Sequence, residues 1–187
     1  MEGVFVFLAE GFEEIEALAT VDLLRRGGVD VRTVSISDEH VVTGVHGIPV
    51  VADLCREQLV SLSNHRSSAM IFPGGLPGAK YLAEDRDLIE LMKEHYAAGG
   101  IVAAICAAPG LVVSQLPSLE GKRFTCYHGF EDTLIAKGAL HDDVPAVADG
   151  NLITGRGPGC AVEFGLTVLE ALKGKETADR VRAGLLI

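Results

Sequence analysis

Short, almost wholly apolar runs recur along the chain, and each is followed by a stretch of helical spacing. This alternation constrains the fold more than any other feature. Gly3–Ala9 (GVFVFLA), Ser68–Phe72 (SAMIF) and Ile101–Ile105 (IVAAI) read as buried strands. Val29–Ile36 alternates and is rich in β-branched residues, so it is a further strand, with shorter ones at Lys122–Cys126 and Asn151–Thr154. Glu13–Arg26, Asp87–Ala98, Ala107–Leu116, Pro158–Leu172 and Glu176–Ala183 carry the helical pattern. Gly27-Gly28 and Gly99-Gly100 stop the first two, and Pro158 opens the fourth. Val41–Ala52 reads as a hairpin around Gly44 and Gly47. A strand apolar on both sides must be covered on both faces, so the pattern implies a doubly wound α/β fold. Its sheet would be mostly parallel and sandwiched by helices. No linker, repeat or low-complexity segment divides residues 1–187, and a single domain is expected.

The charge balance narrows the partners. Sixteen Lys and Arg against 26 Asp and Glu give a formal net charge of -10. That charge repels phosphate backbones and anionic lipid, so neither nucleic acid nor a membrane surface is an expected partner. Residues 1–12 lack a basic n-region, and no signal peptide is expected. The uncharged stretch from Ala97 to Leu119 is broken by Pro109, Gly110 and Pro117, and reads as a strand and a buried helix rather than a membrane span. Four scattered cysteines form neither a disulfide framework nor a zinc pattern, so no metal site is expected. Free thiols point to a reducing, cytoplasmic setting.

In a doubly wound sheet the ligand sits beyond the carboxyl ends of the strands. Cys106 stands at such an end, between a buried strand and a helix, with small neighbours Ala103, Ala104, Ala107 and Ala108. That is the setting of a nucleophile elbow, where a helix N-terminus would lower the thiol pKa. The alternative is a small core cysteine. Pro73-Gly74-Gly75 follows another strand and could offer backbone N–H groups to an oxyanion, or simply make a turn. Glu13, Glu14 and Glu16 open the first helix, where acidic residues ordinarily complement the dipole; Glu16 could instead aim at the crevice and handle a proton. The loop Gly155–Cys160 resembles an anion site at a helix start, and Cys160 is the rival nucleophile. His128 and His141 are the candidate bases, while His40, His46, His65 and His95 read as surface residues.

The runs AEGFEEIEA at Ala9–Ala17, FPGGLPGA at Phe72–Ala79, AAICAAP at Ala103–Pro109 and TGRGPGCAVEF at Thr154–Phe164, with VDLLRRGG at Val21–Gly28, occur in order over nearly the whole chain. Together they resemble the ThiJ/PfpI superfamily, nearest to its YajL and Parkinson-disease-protein deglycase-like branch. The resemblance implies a flavodoxin-like, class I glutamine amidotransferase-like fold and a homodimer. It makes Cys106 the nucleophile and Glu16 the protonated carboxyl beside it. Gly74, Gly75 and the Ala107 backbone would form the oxyanion pocket, and Arg156 would order the loop beside the site. Two departures qualify it. Ala107 stands where the protease-like and chaperone-like branches carry histidine, which disfavours peptidase activity. Tyr127 holds a place often taken by histidine, with His128 one residue on, so both are site-lining candidates.

The implied activity is that of a cofactor-independent cysteine enzyme acting on small reactive aldehydes or glycated groups, of glyoxalase III or deglycase type, yielding 2-hydroxy acids. The alternative is a redox-responsive, stress-protective or chaperone protein that senses peroxide through Cys106. A thiamine-related role has no residue in its favour. An amidotransferase-like hydrolase would need a histidine beyond His141, where there is none.

Overall fold

The computed structural model describes residues 3–58 and 67–187. Six strands form the central sheet: β1 (Gly3–Leu8), β2 (Val31–Ser35), β5 (Ser67–Phe72), β6 (Ile101–Ile105), β9 (Ala146–Asp149) and β10 (Leu152–Gly155). Their order is β2-β1-β5-β6-β10-β9. All neighbours are parallel except β9, which runs antiparallel to β10 at one edge. Two small two-stranded sheets stand apart: the hairpin of β3 (Val41–Thr43) with β4 (Pro49–Val51), and the pair β7 (Arg123–Phe124) with β8 (Leu140–His141).

Helices flank the sheet. α1 (Glu14–Arg26) packs on α6 (Ala161–Lys173), which also holds α7 (Lys175–Gly184). α2 (Gly78–Glu84) packs against α3 (Arg86–Ala97) and against α4 (Ala108–Leu111); the short α5 (Asp132–Ile135) also touches α4. This is the mostly parallel, helix-sandwiched architecture implied by the apolar strands. The core runs through the middle of the sheet, where Phe7 and Phe72 on adjacent strands stack with ring centroids 5.3 Å apart. Both are almost wholly buried, as are Val6, Ile71, Ala103 and Ile153.

Several local expectations are corrected. The segment after Cys106 is not one helix to Leu116: α4 ends at Leu111 and a 3-10 turn takes Val113–Gln115. The strand expected at Lys122–Cys126 shrinks to Arg123–Phe124, because Thr125 gives its amide to the Thr154 hydroxyl instead of to a ladder. The edge strand β9 and the helix α2 had no clear period and went unread. His40 and His95 are not free surface residues: each is half-buried and donates a ring N–H to a carbonyl, of Ala52 at 2.8 Å and Ile101 at 2.9 Å. His65 lies outside the described residues.

The chain leaves β1 toward β2 on one side and later returns to β5 on the other. The strand order therefore reverses beside β1, and a crevice opens at the carboxyl ends of β1, β5 and β6. The close approach of α1 and α6 holds the first of these ends in place. It depends on Gly165, where an added Cβ would stand 2.6 Å from Leu23 Cδ1 and 3.3 Å from the Thr20 backbone. Gly165→Leu is expected to force the two helices apart and cost about 1–3 kcal/mol. A urea titration followed by circular dichroism would read this as a lower midpoint, and an unchanged midpoint would refute the packing argument.

Candidate active site

The crevice brings together residues that are far apart in sequence. Cys106 follows the last residue of β6 with φ at 67°, a left-handed backbone that side-chain-bearing residues rarely adopt. The surrounding bonds hold it there: its amide donates to Gly155 O at 2.9 Å, and its carbonyl accepts from the Tyr127 amide at 2.9 Å. β10 and the Tyr127 loop thus clamp the elbow from two sides. The side chain is turned up to the crevice, yet Cys106 retains only 9% of its accessible surface.

Glu16 reaches the same point from the first turn of α1 and is fully enclosed. Its Oε2 accepts the Gly74 amide at 2.7 Å. Oε1 is buried with no hydrogen-bond partner among the described residues, while the carboxyl group as a whole interacts with the thiol of Cys106. Gly74 is the spacer that allows this meeting. A Cβ there would lie 2.6 Å from Cys106 Cβ, 2.7 Å from Glu16 Oε2 and 3.0 Å from Cys106 Sγ. Gly75 adopts φ of 88° and packs against the backbone of Gly11–Glu13, and its amide and that of Ala107 interact with the sulfur.

Burial governs the ionisation of this pair. Loss of solvent pushes the Glu16 carboxyl up to about 7, although the Cys106 thiol and the Gly74 amide pull it down. Burial, and then the charge of Glu16, push the Cys106 thiol up to about 12, against the pull of the Ala107 and Gly75 amides. The low thiol pKa expected of a helix start is therefore corrected, since α4 is only four residues long and the carboxyl stands beside the sulfur. Two groups so close lose their protons as a unit. Burial thus disfavours the charged form of both groups, and the ionised carboxyl adds to the upward push on the thiol.

The remaining candidates line a neighbouring cavity of about 380 Å³. Tyr127, His128, Arg156, Cys160, Cys126 and His141 are among its walls. Tyr127 and His128 pack ring on ring with centroids 4.4 Å apart, and neither reaches the Cys106 side chain in any recorded hydrogen bond. Arg156 pairs with Asp143 at 2.5 Å, and its guanidinium also faces the Cys160 sulfur. Cys160 therefore belongs to this second space rather than to the Glu16 site. Cys126 is buried there, and its thiol is pushed up to about 12 by burial and by Glu131. All four cysteines are free.

Glu13 and Glu14 have separate tasks. Glu13 caps α1, its carboxylate accepting the Glu16 amide at 2.7 Å. Glu14 accepts from His46, through the backbone amide at 2.7 Å and through ring Nδ1 at 2.8 Å. The His46 contact was not readable in advance, because it closes across 32 residues and a hairpin whose docking no local pattern specifies.

The chain matches the DJ-1/PfpI family over residues 2–171, and it belongs to that family. It is 38% identical to Protein DJ-1 homolog A of Arabidopsis thaliana over 184 residues, which is 98% of this chain and 46% of that protein. The chain thus spans about half the length of that relative. It is 35% identical to the glutathione-independent glyoxalase DJR-1.2 of Caenorhabditis elegans over 170 residues, covering 91% of this chain and 88% of that one. The solved structure of oxidized DJ-1 from Toxoplasma gondii superposes with a TM-score of 0.91 at 33% identity, covering 100% of this chain and 98% of that chain. Among the described residues no helix is long and apolar enough to cross a membrane.

The coupling of the two groups can be tested directly. Glu16→Gln keeps an oxygen for the Gly74 amide but removes the ionisable partner. The pH profile of Cys106 alkylation is expected to lose its step near 7 and to show one thiol ionisation displaced below 12. Mass spectrometry of the alkylated peptide gives the rate, and a two-step profile retained in the variant would show that the groups titrate independently.

Proposed function

We propose that this protein is a cofactor-independent cysteine enzyme that converts small reactive dicarbonyls, or their adducts, to 2-hydroxy acids. The observation that carries this reading is the enclosed Glu16 carboxyl in contact with the Cys106 thiol, beside the Gly75 and Ala107 amides. Such a pair can present a thiolate and a neutral acid in the same space. The glyoxalase name of the nematode relative adds support.

In the proposed reaction the Cys106 thiolate adds to the aldehyde carbon of a glyoxal, forming a hemithioacetal. The Gly75 and Ala107 amides receive the oxyanion. Glu16 gives its proton to that oxyanion, then as carboxylate takes the proton from the former aldehyde carbon and returns it to the adjacent carbon, while the hydroxyl proton passes to the neighbouring oxygen, which turns the adduct into a thioester. Water releases the 2-hydroxy acid and restores the thiol. Oxidation of one carbon balances reduction of its neighbour, and no external electron carrier enters. Gly74 supplies the space in which acid and sulfur face each other. Tyr127, His128 and Arg156, in the adjoining cavity, are placed to contact the rest of a larger substrate.

A cytoplasmic setting is part of this reading, with the four free thiols in its support. So is pairing of two copies, supported by the exposed apolar side chains Ile15 and Leu18 on α1. A second reading draws on the same geometry. Oε1 of protonated Glu16 has no hydrogen-bond partner among the described residues, so it could donate to an oxygen of an oxidised Cys106 sulfur, as a peroxide sensor requires.

Cys106→Ser is expected to lower lactate formation from methylglyoxal by at least a hundredfold while leaving the thermal midpoint nearly unchanged. Turnover equal to that of the parent would remove Cys106 from the reaction. Gly74→Ala, which wedges a methyl between sulfur and carboxylate, is expected to lose most activity in the same assay. For the second reading, mild peroxide should oxidise Cys106 before Cys55, Cys126 and Cys160, as read by mass spectrometry; oxidation spread over all four would refute it.

A further inference from the structure

The β3–β4 hairpin is far from Cys106 in sequence, yet it is bound to the segment that delivers Glu16. The Gly11 amide donates to Thr43 O and the Val45 amide to Phe12 O, each at 2.8 Å, while the Thr43 amide donates to Glu10 Oε1 at 3.0 Å. The tightest contact is at Glu14. Its side chain keeps only 6% of its exposure, and both of its oxygens are held by His46, whose own side chain is 69% exposed. Gly44 closes the seat: a Cβ there would stand 2.3 Å from Glu14 Oε1. Glu14 is two residues before Glu16, on the same first turn of α1, and Glu13 on that turn caps the Glu16 amide.

We propose that His46 is a positioning residue for the Glu16–Cys106 pair: contact of its ring with the buried Glu14 carboxylate locks the β3–β4 hairpin onto the first turn of α1 and holds Glu16 in register with the sulfur. The inference rests on the enzymatic reading given above, and it adds a residue that acts without touching substrate. A buried carboxylate is costly without charge-assisted hydrogen bonds, and His46 supplies one from its amide and one from its ring. The amide bond survives any side-chain change, so the ring contact is the adjustable part of the latch.

The groups facing the ring are anionic: Glu14 in contact and Glu13 beyond it on α1, with Glu10 on the Thr43 amide of the same hairpin. Burial pulls Glu14 upward, but the hydrogen bonds from His46 outweigh it and hold the carboxyl below its ordinary 4.5. The bond to Glu14 raises the His46 ring above its ordinary 6.5. The signs define a window. The Glu14 contribution is present above pH 4.5 and fades as pH falls through its lowered value. The His46 contribution is complete below pH 6.5 and fades as pH rises through its raised value. The latch is tightest between those limits and slackens on the alkaline side by loss of the imidazolium proton.

The test uses the full chain and reads the alkylation rate of Cys106 by iodoacetamide against pH, with His46→Ala, His46→Arg and Gly44→Ala beside the parent. This readout needs no carbonyl chemistry, so a failed enzymatic reading would leave it standing, and its own failure would leave the enzymatic reading standing. At pH 6 His46→Ala is expected to alkylate roughly tenfold more slowly, the worth of one hydrogen bond to a charged group. The ratio of the parent's rate to that of His46→Ala at the same pH should fall to one in an alkaline step as His46 deprotonates, a titration followed independently by NMR of the ring. His46→Arg, with a permanent cation, should restore the pH 6 rate and lack the alkaline step. Gly44→Ala, which displaces Glu14 without touching His46, should match His46→Ala. Identical profiles for the parent and His46→Ala, or an alkaline step that persists in His46→Arg, would overturn the proposal. If His46→Ala fails to fold, the comparison of the parent with His46→Arg decides by itself.

Discussion

A carboxyl group shut away from water, with one oxygen on the Gly74 amide and the group in contact with the Cys106 thiol, is the interaction on which the rest of this structure turns. An ionised carboxylate in such a place is expensive, and burial raises Glu16 toward neutrality as a result. The same enclosure raises the thiol, so neither group is reactive by itself. The amides of Gly75 and Ala107 act the other way, pulling the thiol down and favouring charge on sulfur.

Much of the fold serves to make this enclosure possible. β1, β5 and β6 deliver Glu16, Gly74 and Cys106 to one edge because parallel strands all end on the same side of the sheet. The strained backbone at Cys106 persists because the Gly155 carbonyl and the Tyr127 amide hold it on either side. Gly74 and Gly75 let a loop pass between α1 and the elbow where any side chain would collide. Removing any one of these elements opens the site to water or closes it to the acid.

The adjoining cavity has a different character. Its walls carry Arg156 paired to Asp143, two histidines, and Cys126 and Cys160. Membership of the DJ-1/PfpI family accounts for the architecture and for the run of matching segments.

The strands, the sheet's parallel character and the elbow at Cys106 were legible in the sequence because each is written locally. An apolar run of five or six residues bounded by turn signals reads as a covered strand, and a cysteine between such a run and small alanines fits an elbow, with a core position as the alternative. Glu16 was legible as a candidate by its position at a strand end, and as a protonated carboxyl only through the family resemblance. The downward thiol shift expected from local dipoles is reversed first by burial and then by a carboxyl 90 residues away in the chain. The latch between Glu14 and His46 and the pairing of Arg156 with Asp143 likewise left no periodic trace. What the chain determined by itself was its alternation of buried strands and helices and the chemistry available at their ends. Which of those ends meet, how much water they keep, and therefore where their protons reside, was decided only by tertiary packing, because solvation and charge proximity are properties of neighbours in space rather than neighbours in sequence.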